Sequence, residues 1–230
     1  MRIAVPAYFH PSWAAEDWRR LCETQPRPPA DIVVINPDSG IGREPDAAYR
    51  AISATLRAAG VTVAGYVDTA YQARAVPHVI DEALAYRRVY GLDTVFLDQV
   101  SSGRFGLPHY RRLSTVLAAA QMRLILNPGT TPDPAYLDLA DVVVTFEGPE
   151  EAYRALPVIP AVQGARAATW HLVHSTPPEH EEQVLERVHQ HGVDLVYVTD
   201  ATMPNPWDRL PARRSALLEP RSGSGGPATR

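Results

Sequence analysis

Residues 61–98 read VTVAGYVDTAYQARAVPHVIDEALAYRRVYGLDTVFLD, and the apolar run at each end stops on an aspartate: VAGYVD on Asp68, VFLD on Asp98. Between them Val79, Ile80, Leu84 and Tyr90 recur at helical spacing, and Gly91 supplies a stop. Strand, crossover helix and second strand make a parallel βαβ unit. The same unit repeats outward in both directions. IVVINPD ends on Asp38 and LILN on Asn127, so four polar strand ends stand 30, 30 and 29 residues apart. The series continues less evenly through Glu147 (VVVTFE), His174 (WHLVH) and Asp200 (VYVTD). In a parallel barrel this period brings all of these side chains to one rim.

Eight segments qualify as strands, over about 3–8, 31–36, 61–67, 94–98, 123–127, 141–146, 168–174 and 193–199. Several are nearly continuous in Val, Ile and Leu, the pattern of a strand covered on both faces. Helical patterns fill the gaps. Asp46 caps AAYRAISATLRAAG, in which Tyr49, Ile52 and Leu56 share a face and Gly60 ends the run. HYRRLSTVLAAAQ, a short PAYLDLA, a short PEEAYRAL and PPEHEEQVLERVHQHG follow. The expected fold is α/β, a single-domain (β/α)8 (TIM) barrel over 1–212 with a Gly/Ser/Pro-rich tail over 213–230, disordered from about 219. An open doubly wound sheet is the rival. Its nucleotide-binding form needs GxGxxG after the first strand, where this chain has Tyr8-Phe9-His10-Pro11.

At 230 residues there is room for one such barrel and little else. A net charge of −4 and no Arg/Lys stripe argue against a nucleic-acid partner. No apolar run approaches the ~18 residues a membrane span needs. The short apolar start broken by Pro6 and Pro11 reads as a first strand and not a secretory signal, so the chain as given is expected in the cytoplasm, or outside if an upstream signal is removed. Cys22 is alone, follows Trp18 and Leu21, and reads as a core thiol.

Asp98 closes a strand otherwise apolar, and a carboxylate there is costly unless it faces an open mouth or has partners. Alternation places Thr94, Phe96 and Asp98 on the barrel interior, and Thr145 with Glu147 likewise. Two carboxyls two strands apart at one rim can flank a glycosidic bond, provided one stays ionised and the other protonated. They could equally hold loops by hydrogen bonds. Asp38 lies in NPDSG, a good turn sequence, whereas Asp68 has fewer turn excuses and could orient Asp98 or bind a substrate hydroxyl or amine. Tyr8, Tyr66, Tyr71 and Trp170 fall at or near strand ends, where their rings could stack on sugars or simply pack. No metal is expected: His171 and His174 point to opposite strand faces, His189 and His191 do not converge, and HExxH is absent. A metal site on Asp38, Asp68 and Asp98 is the weakest alternative. GxSxG, the nucleophile elbow of a serine triad, is absent too.

VPAYFHP, INPDSGIG, GYVDTAYQAR, VFLDQV, LNPGT, FEG, HS and YVTD followed by NPWDRLP occur in that order from Val5 to Pro211. Together they resemble the spherulation-specific, or spherulin-4-like, family. The resemblance implies a (β/α)8 barrel related to glycoside hydrolases, needing no cofactor, whose fungal members cleave α-1,4-linked galactosamine or N-acetylgalactosamine polymers. It implies catalytic carboxylates at Asp98 and Glu147; from their places at or near strand ends, Tyr8, Asp38, Tyr66, Asp68, Tyr71, Gln99, Asn127, Trp170, His174 and Asp200 are expected around the carbohydrate. Active fungal members carry an acidic pair where this chain has Asp98-Gln99, and an amide cannot ionise. A carbohydrate-binding barrel without catalysis is therefore the alternative expectation.

Overall fold

A computed structural model describes residues 2–23, 29–158 and 166–211. Eight parallel strands close into a barrel in chain order. They are β1 (Arg2–Ala7), β2 (Ile32–Ile35), β3 (Thr62–Asp68), β4 (Thr94–Asp98), β5 (Arg123–Leu126), β6 (Val142–Pro149), β7 (Ala168–His174) and β8 (Leu195–Val198). Closure runs through Arg2 opposite Leu195 and Ile3 opposite Val196, which disposes of the open-sheet rival. Every residue of β2 and of β8 is buried, because helices cover the outside while side chains fill the lumen.

Six α-helices are described: α1 (Ala15–Leu21), α2 (Ala47–Ala58), α3 (Val76–Tyr90), α4 (Leu107–Ala119), α5 (Glu150–Ala155) and α6 (Glu181–His191). Asp46 caps α2 as its sequence indicates, Oδ1 accepting from the Ala48 and Tyr49 amides at 2.8 and 3.0 Å. The buried face of α2 is Tyr49, Ser53 and Leu56, with Ile52 only partly covered. Gly91 ends α3 at φ 70°. Gly65 lets α3 lie directly on β3, since a Cβ there would sit 2.3 Å from the Tyr86 ring. PAYLDLA forms only a 3₁₀ turn, Pro134–Asp138. Cys22 is half-buried rather than enclosed. Among the described residues no helix is long and apolar enough to cross a membrane. The expected tail lies outside the described residues.

Register fixes what faces the lumen. Tyr66 pairs with Phe96, Phe96 with Ile125, and Tyr66 stacks on Phe96 with ring centroids 6.3 Å apart. Trp170 meets Phe96 edge-on at 5.8 Å. In β6 the ladder to β7 steps from Val144–Trp170 to Phe146–His171, leaving Thr145 unpaired in a bulge. Val142 and Val144 therefore face inward, Phe146 outward against Tyr153 at 4.8 Å, and Glu147 inward again. The simple alternation that put Thr145 and Glu147 on one face does not hold, because the bulge changes phase between Val144 and Phe146.

Candidate active site

Asp98 ends β4, Asn127 follows β5, and Glu147 lies near the end of β6, so three neighbouring strands bring three polar groups to one mouth. Asn127 stands between the acids. Its Nδ2 donates to Asp98 Oδ1 at 2.7 Å and to Glu147 Oε2 at 2.6 Å. Its Oδ1 accepts from the Gly129 amide at 2.9 Å, and this bond fixes which end of the side chain carries the hydrogens. Because both carboxylate oxygens lie within those two distances of one nitrogen, they are at most 5.3 Å apart.

The two acids have different surroundings. Tyr66 donates to Asp98 Oδ2 at 2.9 Å, and the backbone N–H of Gln99 donates to the same carboxylate. Burial pushes the Asp98 carboxyl up; the bonds from Gln99, Tyr66 and Asn127 pull it back, while Asp68 adds a smaller push. Glu147 has fewer donors, Asn127 and the Trp207 indole Nε1 at 3.3 Å. Burial first, then the charge of Asp98, push its carboxyl up to about 7. Near neutral pH the pair therefore holds one shared proton more readily at Glu147, while Asp98, better supplied with donors, carries the charge.

The cavity beside the pair has a volume of about 530 Å³ and is lined by Tyr8, Asn36, Asp38, Tyr66, Glu147, His174 and the segment from Met203 to Trp207. Tyr8 stands edge-on to Tyr66 at 5.5 Å. Asp38 is exposed on the rim. His174 lies 2.9 Å from Ser175 Oγ through Nδ1 and meets the Trp207 ring edge-on at 6.0 Å; burial lowers its pKa, so it is neutral at pH 7. Gln99 has a left-handed backbone, φ 50°, whose carbonyl accepts from Thr69 Oγ1 at 2.8 Å and the Tyr71 amide at 2.7 Å.

Four expected ligand contacts are placed otherwise. Trp170 is wholly buried below the mouth, so its ring has no face free for a sugar. Asp68 does not line the cavity; its Oδ1 accepts from the Ala70 amide at 2.6 Å and holds the turn after β3. Tyr71, 61% exposed, stands on that turn outside the cavity lining. Asp200 is paired with Arg209 at 3.2 Å on the surface. Trp207 and Asn36 are lining residues that sequence reasoning passed over. The signal for Trp207 was NPWDRLP after the last strand, which spacing alone does not connect to β6. Among the described residues no three His, Cys, Asp or Glu side chains converge so as to hold an ion. His171 does turn away from His174, packing outward against Tyr153 and His191 at 5.4 and 5.3 Å.

A closed eight-stranded parallel barrel with two acids joined by one amide at the carboxyl ends of its strands is a (β/α)8 protein with a polar cluster at the end where that fold carries its sites. Residues 2–219 match the model of spherulation-specific family 4, and the chain belongs to that family. Spherulin-4 of Physarum polycephalum is 34% identical over 151 residues, which is 64% of this chain and 45% of the relative. The chain thus aligns with less than half the length of that protein. Among solved structures, Aspergillus clavatus Sph3 in complex with GalNAc superposes with a TM-score of 0.76 at 22% identity, covering 94% of this chain and 95% of that one. An α-amylase from Geobacillus thermoleovorans complexed with acarbose gives 0.53 at 7% identity, covering 82% and 66%. At such identities these two matches speak to the fold.

Proposed function

We propose that this barrel is a glycoside hydrolase that cleaves α-1,4-linked galactosamine or N-acetylgalactosamine polysaccharide, with Asp98 as nucleophile and Glu147 as acid. The observation that carries the reading is the Asn127 bridge, which sets two unequally charged acids side by side, with Glu147 lining an open cavity. Membership of spherulation-specific family 4 and the likeness to a barrel solved with GalNAc support the sugar class.

An oxygen separation of at most 5.3 Å favours a retaining course, for which carboxyls stand about 5–5.5 Å apart, over an inverting one, which needs room for a water between them. Asp98 attacks the anomeric carbon and forms a glycosyl ester while Glu147 gives its proton to the departing glycosidic oxygen. Glu147, now ionised, takes a proton from water, whose oxygen displaces Asp98. Tyr66 and Asn127 keep Asp98 aimed and ionised. Tyr8, Asp38 and His174 shape the sugar subsite beside it, Gln99 offers an uncharged amide at its edge, and Asp68 acts through the turn it holds.

A second reading, a barrel that binds the glycan without cleaving it, is favoured by Gln99, which leaves the end of β4 with one acid. Incubation with a panel of α-linked amino-sugar polymers, read by mass spectrometry, separates the two. Products from the wild type, lost in D98N and in E147Q, are expected. Binding with no products at any pH from 4 to 8 overturns the hydrolase and leaves the binder.

A further inference from the structure

We infer that the mouth carries an outer glycan-binding surface formed by Trp13, Tyr71 and Phe105, which grips a run of several sugar units beyond the two acids. Large rings exposed to water are rare among the described residues: Trp13 is 64% exposed, Tyr71 61% and Phe105 96%. Single exposed apolar residues need no explanation, but here the distribution is one-sided. All three stand on loops that follow strands β1, β3 and β4, at the end of the barrel where Asp98 and Glu147 lie. The exposed valines, Val116 and Val158, lie on α4 and after α5.

Each ring is mounted on a fastened loop. Phe105 sits between Arg104, whose Nε donates to Asp133 Oδ2 at 2.8 Å, and Gly106, where an added Cβ would meet Tyr136 Oη at 2.5 Å. Tyr71 has a left-handed backbone, φ 51°, its amide bonded to the Gln99 carbonyl at 2.7 Å and its carbonyl to Ser101 Oγ at 3.0 Å. That bond joins the loops after β3 and β4. The Trp13 amide donates to the His10 carbonyl at 3.2 Å, and His10 is tied to Asp46 at 2.9 Å.

Rings that only filled space would turn inward. Rings held out on fixed backbone lose little freedom when a flat partner docks, which is what tight binding requires. A pyranose offers such a partner, with an apolar C–H face and hydroxyl edges that stay in water. The loops after β1 and β4 are three strands apart around the rim, too far for a single sugar to touch both rings. The occupant is therefore a chain, and the Tyr71 loop abuts the acids through its amide bond to the carbonyl of Gln99, the residue that follows Asp98.

This inference rests on the sugar-binding half of the reading above and not on cleavage. The test uses α-1,4-linked galactosamine oligomers of increasing length, N-acetylated and free, with free N-acetylgalactosamine as the shortest probe. Dissociation constants come from calorimetry on the wild type, W13A, F105A, the double variant, and V116A on the helical side. W13A and F105A should each weaken long oligomers about three- to tenfold, with a penalty that grows with chain length and disappears for the monosaccharide. V116A should match the wild type. Equal affinities at every length, or a loss independent of length, overturns the outer surface. Self-association of the wild type that vanishes in the double variant, with glycan affinity unchanged, overturns it in favour of a contact between copies. Length-dependent binding in a protein that releases no products supports the surface while removing the hydrolase.

Discussion

The Trp207 indole donates to Glu147 Oε1 across 60 residues of chain, at 3.3 Å, and so ties the loop after the last strand to the acid on the sixth. It is one of only two side chains holding that carboxyl down against burial and the charge of Asp98. W207F keeps an aromatic ring against Tyr197 and His174 but removes the donor. The pKa of Glu147 then rises, and the basic limb of the kcat/KM–pH profile moves to higher pH. A limb that stays in place would show that the indole does not act on Glu147.

Asn127 acts on both acids at once. N127A removes a donor from each, leaves two carboxyls facing one another and lets both pKa values climb. A fall in kcat of about 10²–10³ is expected, the scale seen when one preorganised donor is removed from a site. Steady-state kinetics on a cleaved oligomer measure it. N127D, which puts a third carboxyl in place of the amide, should not restore the rate.

Glu147 also makes the site costly to fold. A carboxylic acid whose folded pKa is raised to about 7 binds its proton more tightly in the native state than in the unfolded chain. Its contribution is full below the unfolded pKa, near 4.5, and is lost as pH rises through 7. E147Q, which cannot ionise, should gain in Tm over the wild type, more at pH 8 than at pH 5. Thermal melts at the two pH values check the sign.

His171 gives the opposite slope. It is buried behind β7 with its Nδ1 2.9 Å from the Tyr153 hydroxyl, and burial, then the neighbouring His191, lower its pKa to about 3. The unfolded chain takes up a proton below about pH 6.5 that the native state refuses, so stability falls as pH drops from there toward 3. H171F should flatten that acid limb in melts from pH 7 to pH 4, whatever it does to stability at neutrality.

Gly65 provides a packing test away from the mouth. G65A would place a methyl 2.3 Å from the Tyr86 ring, and either α3 shifts or the ring turns. A loss of about 1–3 kcal/mol in urea unfolding is expected, the usual range for overpacking a filled core. Combining G65A with Y86L should recover part of it.

The barrel was legible because parallel strands covered on both faces read as unbroken apolar runs, and their regular alternation with helices leaves a barrel or an open doubly wound sheet, between which the pairing of β1 with β8 decides. Asp98, Asn127 and Glu147 were legible for the same reason, as polar residues ending such runs. Depth was not. Trp170 has the same inward parity as His174 yet lies four residues lower, where the lumen is filled by Phe96 and Tyr66. Asp68 and Asp200 read as rim acids, but local partners take them, the Ala70 amide for one and Arg209 for the other. Trp207 comes from a loop that folds back over the mouth, a long-range contact that no local pattern encodes. PAYLDLA carries helical spacing but is bounded by Pro134 and too short to hold more than a 3₁₀ turn.

The unpaired Thr145 decides on which side of the wall the chemistry stands. Val142 and Val144 set the phase of the strand, and strict continuation would send Phe146 into the lumen and Glu147 out among the helices. One surplus residue flips the remainder of the strand, hiding the phenyl ring and delivering the acid. Loss of Thr145 alone would leave Val144 opposite Trp170, Phe146 opposite His171 and Glu147 still facing the lumen, whereas drawing Thr145 into the ladder would exchange the faces of the ring and the acid.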